Sequence, residues 1–218
     1  MEIFLEYVDK VGLIGIIVAI TAFLTGIKFP DWDFKLKLQH RSILTHSPLF
    51  LFLLIELYKK EKNDTFRFFI AGFALALAVH FIFDFFPKGW SRGALLHIPI
   101  ARIALSPKIS KILFMLSIII SVYITVNMTK SFEEFLFLGI LALWTFLKHT
   151  IKEEKFFRPC ILFTLIFLFI GSFKFDEINK NLNKSRKYII SYVKEIKKWN
   201  LFLFRYTYFL DNFITEII

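Results

Sequence analysis

Hydrophobic positions in this chain are gathered into long runs rather than spaced evenly. Runs at residues 11–29, 43–58, 67–86, 111–129, 133–149 and 157–173 are poor in charge, and short segments dense in Lys and Arg separate them. In the first three runs the charged or histidine exceptions are few: Lys28 near the end of the first, His46 and Glu56 in the second, and His80 and Asp84 in the third, which Arg67 opens. None of the runs sustains a two-residue alternation, which argues against membrane-spanning strands. A perpendicular helical span needs about 20 residues, with about 17 as the lower limit. The second, fifth and sixth runs are therefore short enough to be half-buried or re-entrant. The pattern predicts an all-α fold, a polytopic transmembrane helical bundle of about five to six spans.

The C-terminal part differs in kind. Tyr188, Ile189, Tyr192, Val193, Ile196 and Trp199 recur at helical spacing, while Lys187, Lys194, Lys197 and Lys198 take other faces. This predicts a basic amphipathic helix on the membrane surface, with a helix packed on the protein's own loops as the alternative. Residues 201–218 are again aromatic and apolar and suit a second interfacial piece. With no internal repeat or flexible linker, the chain reads as a membrane-embedded domain, 1–173, followed by a basic amphipathic tail, 174–218.

Composition supports that reading: 56% of the 218 residues are hydrophobic and 19% aromatic, more than a soluble domain carries. The net charge of +10 raises the question of nucleic acid. The cations, however, sit at the ends of apolar runs, where they anchor to lipid headgroups. No nucleic-acid-reading module is visible, so membrane lipids are the expected partners and nucleic acid is not. One cysteine, Cys160, excludes an internal disulfide. Glu2, Glu6 and Asp9 outnumber Lys10 ahead of the first run, which makes it a retained span rather than a cleavable signal.

Ionisable groups in or beside membrane spans are costly, so each calls for a reason. The first run ends in Pro30-Asp31-Trp32-Asp33, two carboxylates behind a helix-stopping proline. His40-Arg41-Ser42-Ile43-Leu44-Thr45-His46-Ser47 leads into the second run, and the third ends with His80 and Asp84, an i, i+4 pair on one helical face. Taken singly, each has a structural explanation: a turn, a helix cap, or a hydrogen-bonded pair between helices. If the first three runs each cross, all three clusters fall on one membrane side by chain direction alone. Imidazoles and carboxylates so grouped suit a divalent metal, zinc first and manganese second.

The order PDxD, then HRxxTHS, then HxxxD at the end of an apolar helix resembles the LexA-regulated inner-membrane metal-dependent hydrolase family. The resemblance covers roughly residues 12–100, and its most specific block reads HRSILTHS here. It implies a membrane-embedded metal-dependent hydrolase. A more distant similarity to zinc-dependent phospholipases C makes a lipid phosphoester the expected substrate class. Asp31, Asp33, His46, His80 and Asp84 are the expected ligands, with His40 a further ligand or a catalytic base. So many candidates allow one or two metals per chain. Arg41 is expected to clamp a phosphate oxygen through its planar fork, or else to anchor at the interface. Thr45 and Ser47 are expected to orient ligands or cap the helix.

The loop Pro87-Lys88-Gly89-Trp90-Ser91-Arg92-Gly93 is either a cover for an anionic headgroup or a basic interfacial turn, and His97 is a possible extra ligand or proton shuttle. Lys and Arg are denser in the short loops on the site side, which predicts a cell-membrane protein with its site facing the cytoplasm. The alternative function is a non-catalytic membrane protein that binds or carries divalent metal. It would place its ligands near the bilayer midplane rather than at one interface.

Overall fold

The computed structural model describes residues 2–87, 89–99, 103–150 and 157–173, together with Lys187, Ile190, Ser191 and Lys194. The chain divides into two compact units, Met1–Ser172 and Phe173–Ile218. The first holds α1 (Glu2–Lys28, bent at Gly12), α2 (Leu49–Lys60), α3 (Asp64–Asp84), α4 (Pro107–Met128), α5 (Phe132–Thr150) and nearly all of α6 (Phe157–Phe173). This bears out the all-α expectation. A two-residue ladder, β1 (His97–Ile98) with β2 (Ile103–Ala104), lies between α3 and α4. In the second unit Lys187, Ile190, Ser191 and Lys194 are helical and exposed. The other positions of the predicted amphipathic helix, and residues 201–218, lie outside the described residues.

α3 is the central element. Asn63 caps its start by accepting the Thr65 N–H at 2.8 Å, leaving fewer of the first turn's donors unsatisfied. Small residues on α3, among them Ala71, Gly72, Ala74, Ala76 and Ala78, are buried and let neighbouring backbones come close. A Cβ at Gly72 would lie 2.7 Å from the Ala19 carbonyl oxygen of α1, and one at Gly26 would lie 2.8 Å from the Phe73 carbonyl oxygen. Ala19 meets Gly72, Gly26 meets Phe73, and Ile27 meets His80, so α1 and α3 run side by side in the same direction. α4 returns antiparallel: the Met128 carbonyl at its end accepts from Arg67 near the start of α3, and Phe114 near its start packs edge-on to Phe81. Phe73, Phe81 and Phe114 are fully buried.

The two ends of this bundle differ. At the start of α3, buried Arg67 holds Glu134 of α5 through two bonds of 2.7 and 2.9 Å and also reaches Asp64 at 2.9 Å. Lys130 joins the group through Asp64 at 2.8 Å. The far end is thus a network of matched charges, with Arg67 using the bidentate geometry that suits a buried pair.

Of the described helices, α3 and α4 are long and apolar enough to cross a membrane. The run at 43–58 yields a helix of only 12 residues, about 18 Å long, which is too short to span. Its start is delayed to Leu49 because residues 42–48 turn toward the end of α3 instead. α1 beyond Gly12 and α6 up to Ile166 are apolar but short. The outer surface is nonetheless apolar along several helices: Ile112, Leu116, Ile119 and Tyr123 on α4, and Ile140, Leu143, Trp144 and Leu147 on α5, are all exposed.

Candidate metal centre

The C-terminus of α1 leaves backbone carbonyls without an intrahelical partner. One of them, that of Ile27, accepts from His80 Nδ1 at 2.8 Å. A carbonyl can only accept, so Nδ1 carries the proton, and in the neutral ring His80 presents the lone pair of Nε2. The close approach of α1 and α3 at Gly26 and Gly72 makes this contact possible. One turn further along α3, Asp84 lies on the same face, its Oδ2 3.3 Å from His80 Nε2. A carboxylate is disfavoured at a helix C-terminus, where the helix dipole is negative, so its placement calls for compensation. Arg41 supplies it: one terminal nitrogen donates to Asp84 Oδ1 at 2.9 Å and the other to the Ala94 carbonyl at 2.8 Å.

His46 completes the group from the loop before α2. Its ring is fully buried. Nε2 lies 3.2 Å from Asp84 Oδ2, and Nδ1 lies 3.2 Å from Asp33 Oδ2 and 3.1 Å from Thr45 Oγ1. Thr45 donates its hydroxyl proton to Asp33 Oδ1, so its oxygen faces Nδ1 with a lone pair. Both neighbours of Nδ1 are then acceptors, Nδ1 holds the proton, and in the neutral ring Nε2 is bare. Ligand atoms of His46, His80 and Asp84 all lie within 4.8 Å of one another. His46 Nε2 and Asp84 Oδ2 are buried without any hydrogen-bond partner. With both imidazoles neutral these are acceptors facing one another, a costly arrangement unless a proton or a cation lies between them. Two imidazole nitrogens and a carboxylate oxygen, with His80 and Asp84 partly exposed, match the donor set of a catalytic divalent-metal site.

The remaining expected ligands are placed differently. Asp33 is fully buried on the far side of the His46 ring, where it also accepts the Ser42 N–H at 3.3 Å. It orients His46 rather than joining the convergent group. Asp31 is exposed at the rim, with Oδ1 3.9 Å from His80 Nε2. His40 is also at the rim: its ring stacks on Phe34 at 5.2 Å, meets His46 edge-on at 6.1 Å, and adds no atom to the group. Arg41 turns inward instead of standing free as a clamp, its guanidinium 5.5 Å from the Phe114 ring.

Charge in the loop follows from this packing. Burial alone would raise the Asp33 pKa, but His46 and Thr45 outweigh it and hold the carboxyl below the usual range. Burial alone would lower His46, but Asp33 and Asp84 on either side of the ring hold it above the ordinary imidazole value. Desolvation, then the neighbouring Arg41 charge, lowers His40.

The loop's shape depends on a segment more than fifty residues away. Arg41 sits at φ +57, a left-handed conformation that a bulky side chain adopts only when its surroundings impose it. His97 imposes it: its N–H donates to the Arg41 carbonyl at 3.0 Å, its carbonyl accepts from Ile43 at 3.0 Å, and its Nδ1–H donates to the His40 carbonyl at 2.9 Å. His97 is therefore a strap across the loop, and the Ala94 and Ile27 carbonyls are further parts of the site. The sequence marks His97 only as a possible ligand or proton shuttle and the two carbonyls not at all, because backbone acceptors and long-range ladders leave no residue-type pattern. In the loop 87–93, Trp90 packs at 6.2 Å on both Phe85 and Phe114, and Lys88 lies outside the described residues.

No protein-family model, curated protein or solved structure matches the chain.

Proposed function

We propose that this chain is an integral membrane protein whose His46, His80 and Asp84 hold a catalytic divalent metal, zinc or manganese, and that it hydrolyses a phosphoester of a lipid or lipid-linked substrate. The observation that carries the reading is the convergence of His46 Nε2, His80 Nε2 and Asp84 Oδ2 on one another, the first and last of them buried without a well-formed hydrogen bond. The motif resemblance supports the reaction class. Membrane embedding is supported by the length and composition of α3 and α4, and by the exposed apolar faces of α4 and α5, which would be a liability in water.

When bound, the metal supplies Lewis acidity toward a phosphoryl oxygen and acidifies water. The protein's part is to hold two imidazoles in the tautomer that bares Nε2, through Ile27 on one side and Asp33 on the other. Arg41 keeps Asp84 turned so that Oδ2 faces inward. His40, at the rim and with its pKa lowered by burial and by Arg41, is suited to accept a proton from attacking water. Carriage of the metal is the weaker reading: α3 has no ionisable side chain between Arg67 and His80, so no chain of such ligands along that helix leads away from the site.

The deciding experiment uses the full chain in mixed phospholipid vesicles, stripped with chelator and then restored with zinc or manganese. Release of soluble phosphate products or diacylglycerol should stop on stripping and return on restoration. Chelator-insensitive release, or metal flux without cleavage, overturns the proposal.

A further inference from the structure

Exposed cations at the two ends of the bundle are treated differently. At the far end, exposed Glu56, Glu61 and Asp64 are interspersed with exposed Lys59, Lys60, Lys62 and Lys130, with Lys59 2.6 Å from Glu56 and Lys130 2.8 Å from Asp64. At the site end, Lys28, Lys35, Lys37, Lys108 and Lys111 are exposed and, among the described residues, none pairs with a carboxylate. Asp31 is the one exposed carboxylate described there. A surface so dominated by positive charge attracts anions.

Within it, residues 34–37 form an ordered projection. Leu36 N–H donates to the Trp32 carbonyl at 2.9 Å, Leu38 N–H to the Asp33 carbonyl at 2.8 Å, and Lys37 closes the turn at φ +56. Along it, apolar and basic side chains alternate: Phe34 is 68% exposed and Leu36 56% exposed, with Lys35 and Lys37 beside them. Large apolar tips flanked by lysines are the composition that enters a lipid interface, with the apolar groups below the headgroups and the ammonium groups among phosphates. The back of Phe34 stacks on His40, at the rim of the metal centre.

We propose that the turn Phe34-Lys35-Leu36-Lys37 docks into an anionic headgroup layer and so selects net-anionic lipid for the adjacent centre. The proposal rests on the membrane reading above and names the lipid class it acts on. Charge complementarity is what favours a lipid surface of this kind over a neutral one. Removing a lysine near an anionic surface weakens such docking about fivefold, and salt screens the attraction.

The test uses the full chain with Leu36→Cys in a Cys160→Ser background, labelled at the new thiol with an environment-sensitive fluorophore. It is reconstituted into vesicles of phosphatidylglycerol or of phosphatidylcholine carrying a headgroup-depth quencher. Quenching should be strong in the anionic vesicles and weak in the zwitterionic ones. Raised salt, or Lys35→Gln with Lys37→Gln, should abolish the difference. Equal quenching in both lipids, or none in either, overturns the proposal. So does a signal that follows protein concentration rather than lipid charge, which would mark a second copy as the occupant. Metal content is measured on the same samples: a chain that binds no metal sinks the hydrolase reading and leaves the docking result standing. Loss of metal in the lysine variants would instead place those residues within the centre and overturn a separate docking role.

Discussion

His46 Nε2 lies 3.2 Å from Asp84 Oδ2, and although both atoms are buried, neither has a hydrogen-bond partner. The two residues are supplied by different parts of the chain, and a bound cation would offset the cost of leaving them so.

Replacing either one should therefore remove metal. His46→Ala and Asp84→Ala are each expected to lose essentially all bound zinc or manganese, measured by elemental analysis of detergent-purified protein. Asp84→Ala should also destabilise the metal-free chain by about 3 kcal/mol, because it leaves the buried Arg41 unpaired. Equal metal in wild type and both variants would show that the ligands lie elsewhere.

Asp33 predicts an intermediate outcome. It touches His46 from behind, at 3.2 Å from Nδ1, rather than facing the convergent atoms. Asp33→Asn should weaken metal affinity about 10–100-fold without abolishing binding, as loss of an orienting partner does. A competition titration against a chelator of known affinity reads this directly, and complete loss would make Asp33 a ligand.

Arg41→Lys should lower metal affinity as well as turnover. A single ammonium cannot reproduce the two bonds to Ala94 and Asp84 in one plane, so Asp84 Oδ2 loses its fixed direction. Turnover reduced with affinity unchanged would instead mean that Arg41 acts on substrate.

The pH dependence has a definite sign. In the metal-free chain His46 is held above its ordinary pKa by Asp33 and Asp84 against burial, so its contribution to stability is full below the unfolded value. That contribution is lost as pH rises through the folded value. Asp33 is held low, so its contribution is present above the unfolded carboxyl value and lost as pH falls through the folded one. Metal-free protein should thus lose stability on going from neutral to alkaline pH. Metal binding behaves oppositely, since it needs the Nε2 lone pair: affinity should climb with pH, with proton release wherever His46 is protonated in the metal-free chain. Calorimetric titration in buffers of different ionisation enthalpy measures the released protons, and none released would contradict the His46 assignment.

Gly72→Val tests the positioning of His80. Its Cβ would meet the Ala19 carbonyl oxygen at 2.7 Å, which is backbone and must shift. Separation of α1 from α3 would cost about 1–3 kcal/mol and pull Ile27 away from His80. Thermal unfolding and metal affinity should fall together, whereas stability loss with affinity intact would detach the helix contact from the site.

Local periodicity already told much of this. The apolar runs over α3 and α4, the shared face of His80 and Asp84, and the gathering of PDxD, HRSILTHS and HxxxD at one end all follow from helical spacing and chain direction. Those are properties of neighbouring residues, and a sequence displays them openly. What only tertiary structure decided is which of the six acid and histidine candidates converge, and how. Asp33 and His46 both lie near the end of α3, but only the path of the loop determines that one stands behind the other. That path depends on Arg41 in a left-handed conformation, imposed by His97, and on an Ala94 carbonyl 53 residues from Arg41. The same loop shortened α2 to a helix that starts at Leu49, although the apolar run begins at residue 43. Backbone carbonyls are identical at every position, so their roles as anchors for Arg41 and His80 are assigned by which segments pack together.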